Sequence, residues 1–465
     1  MPHAGILDLP TEILFKILDW AEDECLYHLA LLSRRLNFIA LSIYFSRKKV
    51  DVESKSEVVC TLEGFRRDVL SALQICLSIQ SLERIDFSVP HWSSAPSITP
   101  FLRHIKRLET FISRLTSVKK VSLRLAPHEG NWSISLKNGD EFITDGSSIE
   151  PYRERPGLMD RIVRRFVPSP PTNSIPAMPP FPSGASQLTT LVMNSATFLT
   201  APGIDWVLAA LRQAPVTSLA LQMPRGNVQT WGDVLPQFAV AAPRLTLLVI
   251  TDLPPSVDTV VLSVLDKFPN LTDLHMSYQR QLTVACDPQK LPLPALRNIS
   301  SLRAPSALAE HFLVAKDPLP ELRSLCVLWR ARPMMNLPSL VSSLATIGAK
   351  LNAHPRAPQL SLDIDARGGF TAADVFMSPS FGDREDIADG CARVERLTLR
   401  LDGKKIDPRS VARLAALFPE TAQFTLITRR VTISRWTLAQ LLGAVKSTRR
   451  LKKIELNGKS HPLRP

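Results

Sequence analysis

The sequence predicts an α/β chain in which a short all-α module at the N-terminus leads into an irregular solenoid of strand–helix repeats. Three observations carry that expectation. The first 46 residues place apolar side chains at helical spacing. A six-residue phrase, apolar-x-x-apolar-x-apolar, then recurs twelve times, starting at residues 82, 118, 188, 216, 245, 271, 299, 322, 359, 394, 421 and 451. Stretches of helical period separate the phrases. Most phrase starts stand 23 to 37 residues apart, enough for a strand, a turn, a helix and a second turn.

Composition bounds the alternatives. The 465 residues are 45% hydrophobic, ordinary for a folded chain, so wholesale disorder is excluded. No stretch approaches the about 18 consecutive apolar residues of a membrane helix. Met-Pro-His-Ala-Gly-Ile-Leu-Asp carries no basic segment ahead of an apolar core, so no secretory signal and no membrane partner are expected. Cys25, Cys60, Cys76, Cys286, Cys326 and Cys391 form no C-x-x-C pair, which argues against a zinc site or a disulfide scaffold. A reducing compartment, cytoplasmic or nuclear or both, fits this usage. Without a secretory route, the N-x-S/T triplets at Asn131, Asn270 and Asn298 are read as chance matches.

In the N-terminal module, Pro10 suits a first helical turn, where an N–H would be unpaired anyway, and Glu12 complements the positive helix start. Ile13, Leu14, Ile17, Leu18 and Ala21 then recur on one face. A second helical stretch after Asp23-Glu24 carries Leu29, Leu32, Leu36, Ile39 and Ile43. This is more apolar surface than about 45 residues bury internally, so a protein partner is expected. The run Leu9-Pro10-x-Glu12-Ile13-Leu14-x-x-Ile17-Leu18, followed by Leu29-x-x-Leu32-Ser33-Arg34-Arg35-Leu36, resembles the F-box. Leu36 stands where many members of that family have tryptophan. The resemblance covers about forty residues and implies docking on a Skp1-type adaptor of cullin–RING ubiquitin ligases. Leu9, Pro10, Glu12, Ile13, Ile17, Leu18, Leu29, Leu32, Leu36 and Ile39 would make the adaptor contacts. An amphipathic helical hairpin that merely caps the fold is the alternative.

Within each phrase the fourth and sixth positions are apolar, from Ile85 and Phe87 to Ile454 and Leu456, with only Ala304 weak. Period two predicts a strand with one buried face. The intervening positions are polar in Lys119-Lys120-Val121-Ser122-Leu123-Arg124, so the other face is open, and a solenoid is favoured over a doubly wound sheet buried on both sides. Helical returns are expected over 65–77, 101–115, 204–211, 257–268, 337–351, 411–418 and 436–445. The phrase resembles the leucine-rich repeat, but the Asn or Cys expected three residues after the last Leu is absent. Pro90, Ala126, Ala196, Pro224, Leu253 and Gln279 stand there, so the turns must satisfy their backbone groups in another way. Together with the N-terminal run, the chain resembles fungal F-box proteins with degenerate leucine-rich repeats.

The long interval between starts 118 and 188 marks an insertion. Trp132, Ile134, Leu136, Asn138-Gly139 and Phe142 predict a β-hairpin, residues 156–166 a helix, and 167–183, with seven prolines, an extended connector. The expected organisation is therefore 1–46, the F-box-like module; 47–126, the first repeats; 127–186, the insertion; and 187–465, the remaining repeats with a basic end.

No enzyme constellation is present: no Walker-A loop, G-x-G-x-x-G, H-E-x-x-H or G-x-S-x-G, and no metal-ligand spacing among nine histidines. A non-catalytic protein without cofactor or metal is expected, and in Asp363-x-Asp365 one or both carboxylates are read as lining a solvated sheet face. Positions three, five and seven of each strand offer a client-binding face, comprising Arg84, Asp86, Lys120, Arg124, Asn194, Gln222, Thr251, Asp273, His275, Arg396 and Arg400. Nine of the thirteen net positive charges fall in residues 429–465, including Arg449, Arg450, Lys452 and Lys453. They read as a polar end-cap or an anion site, and with Trp436 as the one interleaved aromatic, nucleic-acid stacking has little support. The resemblance implies a substrate-recognition subunit of a Skp1–cullin–F-box ligase that holds a protein client. A repeat scaffold without a ligase role, or an anion binder acting through the basic end, remain the alternatives.

Overall fold

Apolar-x-apolar phrases pair best with their own kind, and the computed structural model shows all twelve as strands. It describes residues 6–50, 57–61, 69–89, 99–125, 133–137, 140–144, 187–194, 203–222, 228–253, 257–278, 296–314, 319–330, 337–356, 358–367, 393–402, 418–429, 451–457 and 459–462. The chain divides into two compact units, Met1–Arg244 and Leu245–Pro465, and the division falls inside the stretch 187–465 expected as one array.

The first unit opens with a 3-10 turn, Ile6–Asp8, and three helices: α1 (Thr11–Leu18), α2 (Asp23–Ala30) and α3 (Arg34–Arg47). The helical stretch expected after Asp23-Glu24 is thus two helices. Asp23 and Glu24 are the acidic first turn of α2, where they meet the positive helix end. Ser33, in extended backbone, accepts a hydrogen bond from the Leu36 N–H at 3.2 Å and starts α3. The end of α3 turns through Lys49 at φ 57°, and the Val50 N–H reaches back to the Phe45 carbonyl at 2.9 Å.

Next come β1 (Glu57–Thr61), α4 (Val69–Ile75), β2 (Ser81–Val89), α5 (Thr99–Arg114) and β3 (Ser117–Leu125). An antiparallel hairpin follows, β4 (Ser133–Lys137) with β5 (Asp140–Thr144), where Asn138-Gly139 predicts one. The helix and connector expected over 156–183 lie outside the described residues. The unit ends with β6 (Thr190–Met193), α6 (Gly203–Gln213), β7 (Ser218–Gln222) and α7 (Val228–Ala241). Strands β1, β2, β3, β6 and β7 pair in that order, all parallel. The ladder runs like on like, Ile85 to Val121 to Leu191 to Leu219, with Phe87, Leu123, Met193 and Leu221 beside it. β1 has no full phrase of its own, yet Val58 and Cys60 extend both columns.

The second unit runs β8 (Leu247–Leu253), α8 (Asp258–Leu265), β9 (Asp273–Tyr278), β10 (Ser301–Pro305), α9 (Ser306–Val314), β11 (Ser324–Arg330), α10 (Leu337–Asn352), β12 (Gln359–Arg367), β13 (Val394–Asp402), β14 (Gln423–Arg429), β15 (Lys453–Leu456) and β16 (Lys459–Pro462). Its strands pair in sequence order and in parallel, except that β16 turns back antiparallel on β15. Among the described strands, neither unit has a point where the strand order reverses, which a doubly wound sheet requires. The helices expected over 411–418 and 436–445 lie outside the described residues, apart from Phe418.

Both apolar columns are buried in all twelve phrases, including Ala304. α4 packs on β1, and α9 on β10 and β11. In one pair the columns themselves are offset: Leu325 and Val327 pair with Leu360 and Leu362, two residues before the positions expected, along the whole β11–β12 ladder. Strands β12 and β13 pair as aligned from Ser361 onward, after a one-residue irregularity between Leu360 and Ser361, and β8–β9 carries another between Ile250 and Leu253, beyond the two columns.

The missing Asn or Cys has a substitute at the other end of the phrase. In the five phrases starting at 188, 216, 245, 271 and 299, position two reads Thr189, Thr217, Thr246, Thr272 and Ser300. The Thr189 hydroxyl donates to the Lys119 carbonyl at 3.2 Å, Thr272 to Thr246 at 3.2 Å and Ser300 to Thr272 at 3.3 Å. Backbone N–H groups of Thr217 and Ser218 converge on the Thr189 carbonyl, both at 3.0 Å, and the pattern repeats at Thr272 for Ser300 and Ser301. Turn groups are thus satisfied from one repeat to the next.

Leu274→Ala, in the buried column, is expected to cost about 2–5 kcal/mol in urea unfolding, whereas Val240→Ala on the exposed side of α7 should stay within about 0.5 kcal/mol.

Candidate functional site

Two surfaces could serve recognition, and both follow from where apolar and charged groups fall on these elements. In the N-terminal module, Leu14 and Leu18 of α1, Leu26 of α2 and most of α3 from Leu36 to Phe45 are buried. α3 packs against α1, α2 and α4 at once, which accounts for its burial over most of its circumference. Leu18, Leu36 and Ile39 therefore belong to the interior, and their expected role in adaptor contact is corrected: a side chain in the core cannot touch a partner.

What remains outside is still strongly apolar. Of eleven large exposed apolar side chains among the described residues, eight lie between residues 7 and 38: Leu7, Ile13, Phe15, Ile17, Trp20, Leu31, Leu32 and Phe38. Trp20 is 89% exposed and Leu32 72%. Such concentration makes this a candidate interaction surface, because exposed apolar residues without such a role would be scattered along the chain. Ile13, Ile17 and Leu32 coincide with sequence expectations. Pro10 and Glu12 are exposed, while Leu9 and Leu29 are half-buried. Phe15, Trp20, Leu31 and Phe38 were not legible, since helical spacing identifies an apolar residue but not which arc of the helix its neighbours cover.

Guanidinium groups from α3 pin this surface. Arg35 donates to the Leu7 carbonyl, to the Leu9 carbonyl at 2.7 Å and to the Thr11 hydroxyl at 3.0 Å, holding the entry to α1. Arg47 donates to the carbonyls of Asp19 and Ala21 at 2.5 and 2.6 Å, holding its exit. Arg34 lies over the Phe38 ring, 5.9 Å from its centroid.

The second surface is the sheet face carrying positions three, five and seven. In the first unit Arg84 and Asp86 are bidentate partners, Nε to Oδ1 at 3.0 Å and Nη2 to Oδ2 at 2.5 Å. The hydrogen bond to Asp86 raises the Arg84 pKa. Lys120 and Asn194 are half-buried and Gln222 is exposed; the Arg124 side chain lies outside the described residues.

In the second unit the expected residues His275 and Arg400 meet two others, Arg303 and Asp363. Arg400 Nε lies 3.0 and 3.2 Å from the two Asp363 carboxylate oxygens, and Nη2 3.0 Å from Oδ2. Arg303, two strands away on β10, also donates to Oδ2. Of the two carboxylates expected to offer one or both to solvent, Asp363 is buried beneath two guanidinium groups, and Asp365 is half-buried. His275 and Cys326 flank Arg303 in register. Burial pushes the His275 pKa down to about 4, with the Arg303 charge acting in the same direction. Burial pushes the Cys326 thiol up to about 11. Both groups are neutral at pH 7.

Thr251 and Asp273 are half-buried, Asp273 accepting from the Thr272 hydroxyl at 2.7 Å, and Arg396 is exposed. Of the basic end, Lys452 is exposed and Lys453 lies 3.6 Å from Glu455; Arg449 and Arg450 lie outside the described residues. The structure joins Arg84 with Asp86 and sets Lys120 beside Arg84 on the next strand. His275 lies next to Arg303, and Arg400 bonds Asp363, so those two expected residues are linked only through the Arg303–Asp363 pair. Among the described residues no cluster of His, Cys, Asp and Glu could hold a metal ion, and no helix is long and apolar enough to cross a membrane.

The chain matches no family model and no curated protein.

Asp363→Ala leaves Arg303 and Arg400 without their shared anion and is expected to cost about 3 kcal/mol in urea unfolding. Because the folded-state pKa of His275 lies below the unfolded value of 6.5, its neutral form stabilises the fold above pH 6.5. That stability is lost as pH falls toward about 4. Unfolding of His275→Gln should therefore show a smaller drop in midpoint between pH 7 and 4.5 than the unmodified protein.

Proposed function

We propose that this protein is a substrate-recognition subunit of a Skp1–cullin–F-box type ubiquitin ligase. The observation that carries the reading is the concentration of exposed large apolar side chains on residues 7–38, within the segment whose sequence resembles the F-box. In this reading Ile13, Ile17 and Leu32, joined by Trp20 and Leu31, form the adaptor contact. Leu9 and Pro10 set the start of α1. The remaining strands and helices form a leucine-rich-repeat-like solenoid, for which sequential parallel strands with like-on-like columns provide support. The polar sheet face would hold a protein client, and ubiquitin transfer would be accelerated by proximity without a catalytic group from this chain.

A scaffold without a ligase role is the second reading. It is favoured by the burial of α3 against α4, which is how an N-terminal cap of a repeat array would sit.

Ile13→Lys with Ile17→Lys separates the two. Both residues are exposed, so the fold should persist, while co-purification of the full chain with a Skp1-type adaptor should fall at least about 100-fold. Leu9→Ala with Pro10→Ala should also abolish capture. Undiminished binding by the double lysine variant, or no binding by the unmodified chain, would overturn the ligase reading.

A further inference from the structure

An asparagine on α3 occupies a position where apolar neighbours would be expected. Asn37 is 3% exposed, surrounded in sequence by the buried Leu36, Ile39, Ala40 and Leu41. A buried amide costs free energy unless it is hydrogen-bonded, and this one uses both ends. Its Nδ2 donates to the Ala30 carbonyl at 3.0 Å and to the Ile75 carbonyl at 2.9 Å, and its Oδ1 accepts from the Leu77 N–H at 3.0 Å. Those partners also determine the amide orientation, since two carbonyls need the NH2 and one N–H needs the oxygen.

The identity of the partners gives the arrangement its meaning. Ala30 and Ile75 are the last residues of α2 and α4, where helix carbonyls lack intrahelical donors. One side chain therefore closes the end of a module helix and the end of the first helix beyond the module. From the other side Arg114 of α5 reaches the same end of α4, donating to the carbonyls of Leu73, Gln74 and Cys76. α5 leads directly into β3, and the Thr116 N–H bonds the Gln80 carbonyl at 2.6 Å just before the strand. A continuous series of polar contacts thus runs from α2 through Asn37, α4 and Arg114 to the sheet. Apolar contacts between α3 and α4 alone tolerate sliding, whereas three directed hydrogen bonds from one short side chain do not.

We propose that Asn37 is a positioning residue that latches the N-terminal helical module to the first repeat, so that the surface at residues 7–38 and strands β1–β3 turn as one body. Its consequence for ubiquitin transfer rests on the function proposed above: the latch sets the direction in which the client face points once the adaptor is bound. Asp lacks the donors and Leu lacks both functions, so neither replaces it.

The test uses the full chain with nitroxides on a keto amino acid at Lys16 in α1 and Lys106 in α5, both exposed and away from the latch. Double electron–electron resonance should give a narrow distance distribution for the unmodified latch and one at least about two-fold broader for Asn37→Leu, which can form none of the three directed hydrogen bonds. A folded Asn37→Leu protein with an equally narrow distribution would overturn the proposal. Amide exchange in the unmodified protein supplies a measure independent of whether that variant folds. The Leu77 N–H should exchange as slowly as the amides inside α3, and exchange at the rate of an open loop would overturn the latch. With a Skp1-type adaptor bound, Asn37→Leu should keep its adaptor affinity and lose about ten-fold in client ubiquitination rate. If even the unmodified chain fails to bind the adaptor, the ligase reading fails, while the distance and exchange results still decide the latch.

Discussion

Parallel strands that follow one another in sequence must each bury the same two positions, and most of the fold is a consequence of that pairing. Position four meets position four and position six meets position six across β2, β3, β6 and β7, and the second unit follows the same rule apart from one shift. The alternation puts the intervening positions on the opposite face, so one set of residues builds the interior and another the outer face of the sheet. Each interval must then carry the chain back to the start of the next strand, and helices such as α4 and α9 do so while covering the apolar columns. Turns at the strand entrances are tied by hydroxyls and backbone N–H groups of Thr189, Thr217, Thr272 and Ser300, each reaching the preceding repeat.

The N-terminal module obeys a different constraint. Its helices carry more apolar surface than they cover, and the excess is divided. α3 resolves its share by packing on α4 as well as on α1 and α2. The share on α1 and around the α2–α3 turn stays in solvent, at Ile13, Ile17, Trp20, Leu31 and Leu32. Polar anchors from α3 keep this surface in place: Arg35 and Arg47 hold the two ends of α1, and Asn37 faces the first repeat. The helix thus serves as a common backbone for the exposed apolar surface and for the body behind it.

On the sheet face the charged residues are arranged less for display than a polar strand face suggests. Arg84 is engaged by Asp86, and Asp363 by Arg303 and Arg400. Each carboxylate is nearly covered while its guanidinium partners remain about one-third exposed. The outer edges of these arginines face solvent, oriented by the carboxylates beneath them. His275 and Cys326, neutral at pH 7, line the same region without adding charge.

Most of the strand plan was legible in the sequence because it depends on local rules. A period of two, repeated at a near-constant interval, states which residues of a strand are buried without reference to any other part of the chain. The hydroxyl ladder at Thr189, Thr217, Thr272 and Ser300 emerged only from the structure, because the resemblance to the leucine-rich repeat points to the other end of the phrase. Tertiary structure decided everything that depends on distant partners. The shift between β11 and β12 reflects how two strands settle against each other, and the Arg303–Asp363–Arg400 cluster joins residues 60 and 37 positions apart. Asn37 joins partners 38 and 40 positions away. Helical spacing also could not separate Leu18, Leu36 and Ile39, which are interior, from Ile13, Ile17 and Leu32, which are not. Both sets have the same chemistry and period, and only the packing of α3 between the module and α4 determines which side is covered.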